Sequence, residues 1–308
     1  MKLTNKTNLP LSLVKVAERL ANNHPVFRND CFSVTELLKS EQQVVLSRRH
    51  ADEIEMDVQD TFAMWNGTAI HALLEEAADK DKYITEMRLE EEFDGVKISG
   101  GFDLLDKETW TLYDYKTCKV AGYQSAANGT EDKWLRQLYA YADLIEKHFG
   151  RRPKQGVIIA MMTDHSKIKA QTVSGYPSNP IEIISWTLED PELQAEYKAE
   201  REEKARRLKG ILNGGTSPSP CSYGDMWCKE DYALIKEGAK RASKCFDSES
   251  DAREYLEANP SYRLYHRVSD FVNCKNYCQC REFCPQWKAL QNHESLCEDI
   301  TDNEFIPF

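Results

Sequence analysis

The sequence predicts an α/β chain: a mixed central sheet flanked by helices, followed by a cysteine-rich, mainly helical C-terminal module. Three observations carry this expectation. Strand-forming runs at 96–105, 110–117, 156–162 and 181–188 are interspersed with helical periodicity at 66–78, 132–148 and 190–212. The segment Asn213-Gly-Gly-Thr-Ser-Pro-Ser-Pro220 has the composition of a linker. Beyond it lie eight of the ten cysteines. The expected organisation is an N-terminal extension (1–29), a core (30–212), a linker (213–220) and a Cys-rich module ending in an acidic tail (221–308).

Each element has a local reason. Ser33 stands three residues before Glu36, the spacing of a capping box, and opens a helical stretch over 33–49. The strand runs at 96–105 and 110–117 are separated by Asp106-Lys-Glu-Thr109, a length that suits a hairpin loop. The helix over 132–148 stops at Gly150. The long helix over 190–212 carries Glu200/Lys204, Glu202/Arg206 and Glu203/Arg207 at i,i+4, which reads as a solvated, charge-laced face.

Composition excludes several classes. With 41% hydrophobic and 30% charged residues the chain is globular rather than disordered. No apolar run approaches the roughly 20 residues that span a bilayer. The N-terminus lacks a signal-peptide pattern, so the expected location is the cytoplasm, or a host cell's cytoplasm for a viral protein. The net charge of −11 argues against a protein that coats nucleic acid by charge alone. A metal-bearing site can still receive phosphates. Part of the acidity is local, with Glu294, Glu298, Asp299, Asp302 and Glu304 in a tail free of Lys and Arg. The phosphate-binding pattern GxxxxGK[ST] does not occur, so no ATP-driven role is expected.

The most informative stretch is Gly100-Gly-Phe-Asp103, followed by Asp114-Tyr-Lys116. Alternate side chains of a strand share a face, so Asp114 and Lys116 point the same way. With Asp106–Thr109 as the loop, Leu105 pairs with Trp110 and Asp103 faces Leu112, which puts Asp103 on that face too. Alone, Asp-x-Lys in a strand is usually a solvated edge. Two carboxylates this close call for a cation between them, and a hard divalent metal held by oxygens supplies one. The neighbouring ammonium can then orient a water for attack on phosphorus.

This pattern resembles the signature of the PD-(D/E)XK nuclease superfamily, GxxD followed by a DxK strand. Gly67-Thr-Ala-Ile-His71-Ala-Leu-Leu-Glu75 is similar to the GTxxHxxLE helix of its RecB-like branch, which includes CRISPR-associated and AddB-like exonucleases. Gln137-Leu-Tyr-Ala-Tyr141 is similar to that branch's QxxxY helix, and Phe32-Ser-Val-Thr-Glu-Leu-Leu to its entry. The resemblance covers about residues 30–150, in family order. It implies a restriction-endonuclease-like core and hydrolysis of DNA phosphodiesters with Mg²⁺ or Mn²⁺. It also implies His71, Asp103, Asp114 and the Tyr115 carbonyl as metal ligands, and Lys116 acting on the attacking water. Gln137 and Tyr141 would hold the DNA end or scissile phosphate, with Glu86 in a supporting place. An exonuclease of recombination, repair or viral DNA processing is the leading expectation, with DNA bearing free ends as partner and a recombination or single-strand-binding protein as a further one. A structure-specific endonuclease would use the same residues, and a non-catalytic binding module could keep the fold.

The cysteines are crowded into Cys274-Lys-Asn-Tyr-Cys278-Gln-Cys280-Arg-Glu-Phe-Cys284. In a reducing compartment such crowding suggests a metal or cluster site more than disulfides. Several RecB-like nucleases carry a [4Fe–4S] cluster, which makes Cys274, Cys278, Cys280 and Cys284 its expected ligands here, with Zn²⁺ as the alternative. The chain departs from the usual arrangement of one cysteine before the core and three after it. Cys31 precedes the entry helix, and Cys221 and Cys228 are further donors.

Overall fold

The computed structural model describes residues 2–22, 28–236, 238–239, 241–291 and 295–301. Glu294, Asp302 and Glu304 of the acidic tail lie outside them. Two compact units are formed, one from 1–39 and 51–218, the other from 40–50 and 219–308. Among the described residues, no helix is long and apolar enough to cross a membrane.

The chain begins with β1 (Lys2–Thr4), α1 (Leu11–Asn22), β2 (Cys31–Ser33) and α2 (Val34–Leu37). It continues with α3 (Glu41–Arg49), β3 (Glu55–Asp57), α4 (Phe62–Ala77), β4 (Tyr83–Phe93), β5 (Val96–Asp106) and β6 (Leu112–Cys118). Next come α5 (Val120–Ala127), α6 (Lys133–Phe149), β7 (Gln155–Met162), α7 (Lys167–Thr172), β8 (Ile181–Thr187) and α8 (Pro191–Leu212). The Ser33–Glu36 capping box is present. The helical stretch it opens is broken, however, because the Ser40 side chain accepts from the Gln43 amide and starts α3 anew. That second helix belongs to the other unit.

The first unit is built on the expected mixed sheet. β5 pairs antiparallel with β4 on one side, and on the other with β2 (parallel) and β6 (antiparallel). β6 continues to β7 in parallel, and β7 to β8 antiparallel. Phe32, Ile98, Phe102, Leu105, Leu112 and Ile158 of the strands are fully buried, as are Leu138 and Ile145 of α6 and Leu208 of α8. α6 ends at Gly150, whose φ of 70° supplies the left-handed cap that a side chain would resist. On α8, Glu202 pairs with Arg206 as expected, but Glu200 reaches across to Arg136 of α6. Arg201 is buried and meets Asp143 of α6 at 2.5 Å. Asp143 also takes Arg152 at 2.5 Å, so one buried carboxylate pairs with two guanidinium groups, whose further acidic partners are Glu146 and Glu91.

The second unit corrects the mainly helical expectation. Its helices α9 (Tyr223–Met226), α10 (Glu249–Ala258), α11 (Val272–Asn276) and α12 (Pro285–Leu290) are short. Its centre is an antiparallel sheet of β9 (Lys229–Lys236), β10 (Lys244–Phe246), β11 (Tyr262–Ser269) and β12 (Ser295–Asp299), in the order β10-β9-β11-β12. Polar cross-strand pairs, such as Arg267 with Asp231, replace the apolar alternation that would have announced these strands.

Candidate active site

The site lies where the central sheet forks. β6 pairs with β5 only at Leu104–Tyr113 and Leu105–Leu112. This corrects the predicted register of Leu105 with Trp110, because the connection is longer than Asp106–Thr109. Asp106 accepts the amides of Glu108 and Thr109 through its side chain, and Trp110 turns left-handed with φ 58°. The shift amounts to two residues, so the strand's alternation is preserved and Asp114 still shares a face with Lys116 and Asp103. Beyond Tyr113 the strands part. The amide of Tyr115, left without a ladder partner from β5, donates instead to Asp103 Oδ2 at 2.6 Å.

Asp103 therefore has one oxygen fixed by backbone and one facing outward. Asp103 Oδ1 lies 3.4 Å from His71 Nδ1, and Glu86 Oε1 lies 3.6 Å from the same nitrogen. The other ring nitrogen, Nε2, is 3.1 Å from the Tyr115 carbonyl. Hydrogen bonds to Asp103 and then Glu86 raise the pKa of His71 to about 10, against the effect of burial. The Nε2 edge of the ring thus meets the Tyr115 carbonyl, and the Nδ1 edge faces the two carboxylates.

Glu86, only weakly indicated by sequence, completes the group. It sits mid-strand with φ 46°, and the β4–β5 ladder skips it between Thr85–Leu104 and Met87–Phe102. A non-glycine residue in this region is strained, and such strain tends to persist where a site requires it. The ligand atoms of His71, Glu86 and Asp103 all lie within 4.8 Å of one another, the one such group of three among the described residues. One nitrogen and two carboxylates at this spacing could hold a divalent cation in place of the proton.

Asp114 and Lys116 stand beside them. Asp114 is 2% exposed, and Lys116 Nζ lies 2.5 Å from its Oδ2. Burial raises the Asp114 carboxyl to about 6, opposed by the lysine's charge and reinforced by Asp103. Lys116 Nζ also donates to Gln137 Oε1 at 2.8 Å, and Gln137 Nε2 donates to the Tyr141 hydroxyl at 2.7 Å. Both residues sit one turn apart on α6, as their spacing predicts. Gly100 makes room for this arrangement: a Cβ there would stand 2.7 Å from Tyr141 Cε1. His71, Asp103, Asp114, Lys116, Gln137 and Tyr141 are thus brought together.

The predicted cysteines gather in the second unit. Cys274, Cys278, Cys280 and Cys284 line one cavity, and so does Cys221. Cys31, Cys118, Cys228, Cys245 and Cys297 do not line it.

The chain matches the model of the PD-(D/E)XK nuclease superfamily over residues 16–285. No curated protein matches it. Two solved structures resemble it distantly. SSO0001 is 16% identical, with 67% of this chain and 87% of that one covered, at a TM-score of 0.43. A protein from Eubacterium rectale, described as a "putative exonuclease", is 9% identical, with 63% and 85% covered, at a TM-score of 0.36.

Proposed function

Because the chain belongs to the PD-(D/E)XK nuclease superfamily, we propose that it is a RecB-like DNA exonuclease dependent on Mg²⁺ or Mn²⁺, serving recombination, repair or viral DNA processing. The observation that carries this reading is the convergence of His71, Glu86 and Asp103 within 4.8 Å at the fork that also presents Asp114 and Lys116. The donor set fits a hard cation. His71, Asp103, Asp114 and the Tyr115 carbonyl would hold it, with Glu86 in reach of the same position. When bound, the metal supplies a Lewis acid that offsets charge building on the phosphoryl oxygens.

The protein's own groups do the rest. Lys116, held between Asp114 and Gln137, presents its ammonium to the attacking water. Gln137 is engaged at both ends of its amide, by Lys116 and by Tyr141. The pair therefore serves as positioning residues for the lysine, ahead of the grip on the DNA end that the sequence suggests. A structure-specific endonuclease would share every one of these groups.

The separating experiment uses end-labelled linear DNA and covalently closed circular DNA, with Mn²⁺ or with chelator. Degradation of linear DNA alone, lost with chelator and in Lys116→Ala, is the expected result. Cleavage of closed circles would select the endonuclease, and intact DNA under every condition would sink the enzymatic reading.

Metal binding should also release protons. His71 remains protonated below about pH 10 in the metal-free protein, and Asp114 below about pH 6, so a cation must displace what these groups hold. Apparent Mn²⁺ affinity is expected to rise with pH from 6 to 9, by up to about tenfold per unit for each proton displaced. Calorimetry in buffers of different ionisation enthalpy reads that proton count directly, and a count of zero would contradict it.

For the cysteine-lined cavity, the crowding of thiols supports a bound [4Fe–4S] cluster, with Zn²⁺ as the alternative.

A further inference from the structure

We propose that the cluster ligands are Cys221, Cys274, Cys278 and Cys284, and that Cys280 stays a thiol donating to the Gln43 carbonyl rather than a ligand. This rests on the cluster reading just given and is independent of the nuclease chemistry. It replaces the four-cysteine run of the sequence with a set closed by the first residue of the Cys-rich module.

Cys221 is built into the cavity wall. Its amide donates to Gln286 Oε1 at 2.9 Å, and its carbonyl accepts from Gln286 Nε2 at 2.9 Å. This two-point clamp fixes it beside α12, whose first turn follows Cys284. Ser40 Oγ lies 3.0 Å from the Cys221 sulfur. Cys284 Sγ accepts from Gln42 Nε2 at 2.9 Å and from the Trp287 amide at 3.3 Å. Gln42 also donates to Gln286 Oε1 at 3.2 Å, so one glutamine pair links the surroundings of both sulfurs.

Cys280 is engaged differently. Its Sγ lies 3.5 Å from Cys278 Sγ and donates to the Gln43 carbonyl of α3 at 3.9 Å. Ligands one residue apart would also have to bend the backbone between them around the same cluster. Cys221 and Cys284 each have a hydrogen-bonding group at their sulfur, the environment that tunes a cluster's potential.

Spacing favours the cluster over zinc. Four thiolates on one zinc at about 2.3 Å stand about 3.8 Å apart. Among the described residues, no three cysteine sulfurs lie within 4.8 Å of one another. A four-iron cluster, in which each iron takes one thiolate, spaces its ligands more widely.

The test is iron and acid-labile sulfide content with the visible spectrum of the full-length protein purified without oxygen. The wild-type chain is expected to hold about four irons and to absorb broadly near 400 nm. Cys221→Ala, Cys274→Ala and Cys284→Ala should each lose most of the iron. Cys280→Ala should keep it. Full iron in Cys221→Ala, or its loss in Cys280→Ala with the circular dichroism of the fold unchanged, would overturn the ligand assignment. A colourless wild-type protein carrying one zinc, or no metal, would instead overturn the cluster reading on which the assignment rests.

Discussion

Asp114→Asn is expected to lower the rate of DNA hydrolysis by about 10²–10³-fold, the scale on which removing a single preorganised electrostatic group lowers a rate, while leaving the protein folded. It should also stabilise the metal-free chain at alkaline pH. The reason is the carboxyl's position: burial raises it to about 6, so the folded protein holds this proton more tightly than the unfolded chain does. A raised carboxyl favours the folded state most when protonated, below the ordinary value of about 3.9. That contribution is lost as pH rises through 6, and above it the buried charge is a cost. Asparagine removes the cost. Thermal melts of the two metal-free proteins should differ most at pH 8 and converge toward pH 4. A variant less stable than wild type at pH 8 would show that the Lys116 pair outweighs desolvation.

The second large effect concerns stability alone. Asp143→Ala should destabilise the first unit by about 3–5 kcal/mol, the range for removing one member of a buried ion pair. Arg201 is 8% exposed and would keep its charge without the carboxylate that meets it at 2.5 Å. Arg152 would fall back on the exposed Glu146, 3.1 Å away. Adding Arg201→Met to Asp143→Ala should recover part of the loss, because the buried charge, left with Glu91 at 3.9 Å, is then gone. Urea unfolding of the three proteins measures this, and a single-variant loss under 1 kcal/mol would mean that water reaches the arginines.

The sequence carried the site further than it carried the frame around it. The alternation of a strand put Asp103, Asp114 and Lys116 on one face, and that survived a two-residue error in register because side-chain direction repeats every second residue. The helical spacing of Gln137 and Tyr141 was equally readable. Glu86 was legible as a nearby acid but not as a third member of the His71 group, since that depends on a left-handed backbone within a strand. The loop length was hidden in Asp106, whose side chain does the work of a turn. The sheet of the second unit was hidden because its strands carry charge, with Arg267 opposite Asp231 and His266 diagonal to Glu230, 3.2 Å away. The break at Ser40 looked like one helix continuing, although Ser40 heads the new one.

That break has a consequence for how the protein is made. The chain leaves the first unit at 39, contributes Ser40–His50 to the second, returns at 51, and leaves again only at 218. During synthesis α3 therefore emerges about 170 residues ahead of the segments that complete its unit. Neither unit can be obtained by cutting the polypeptide once. Expression limits chosen at the Gly/Ser/Pro-rich linker would leave one product carrying a stranded helix and the other lacking Gln42, the residue that donates to Cys284.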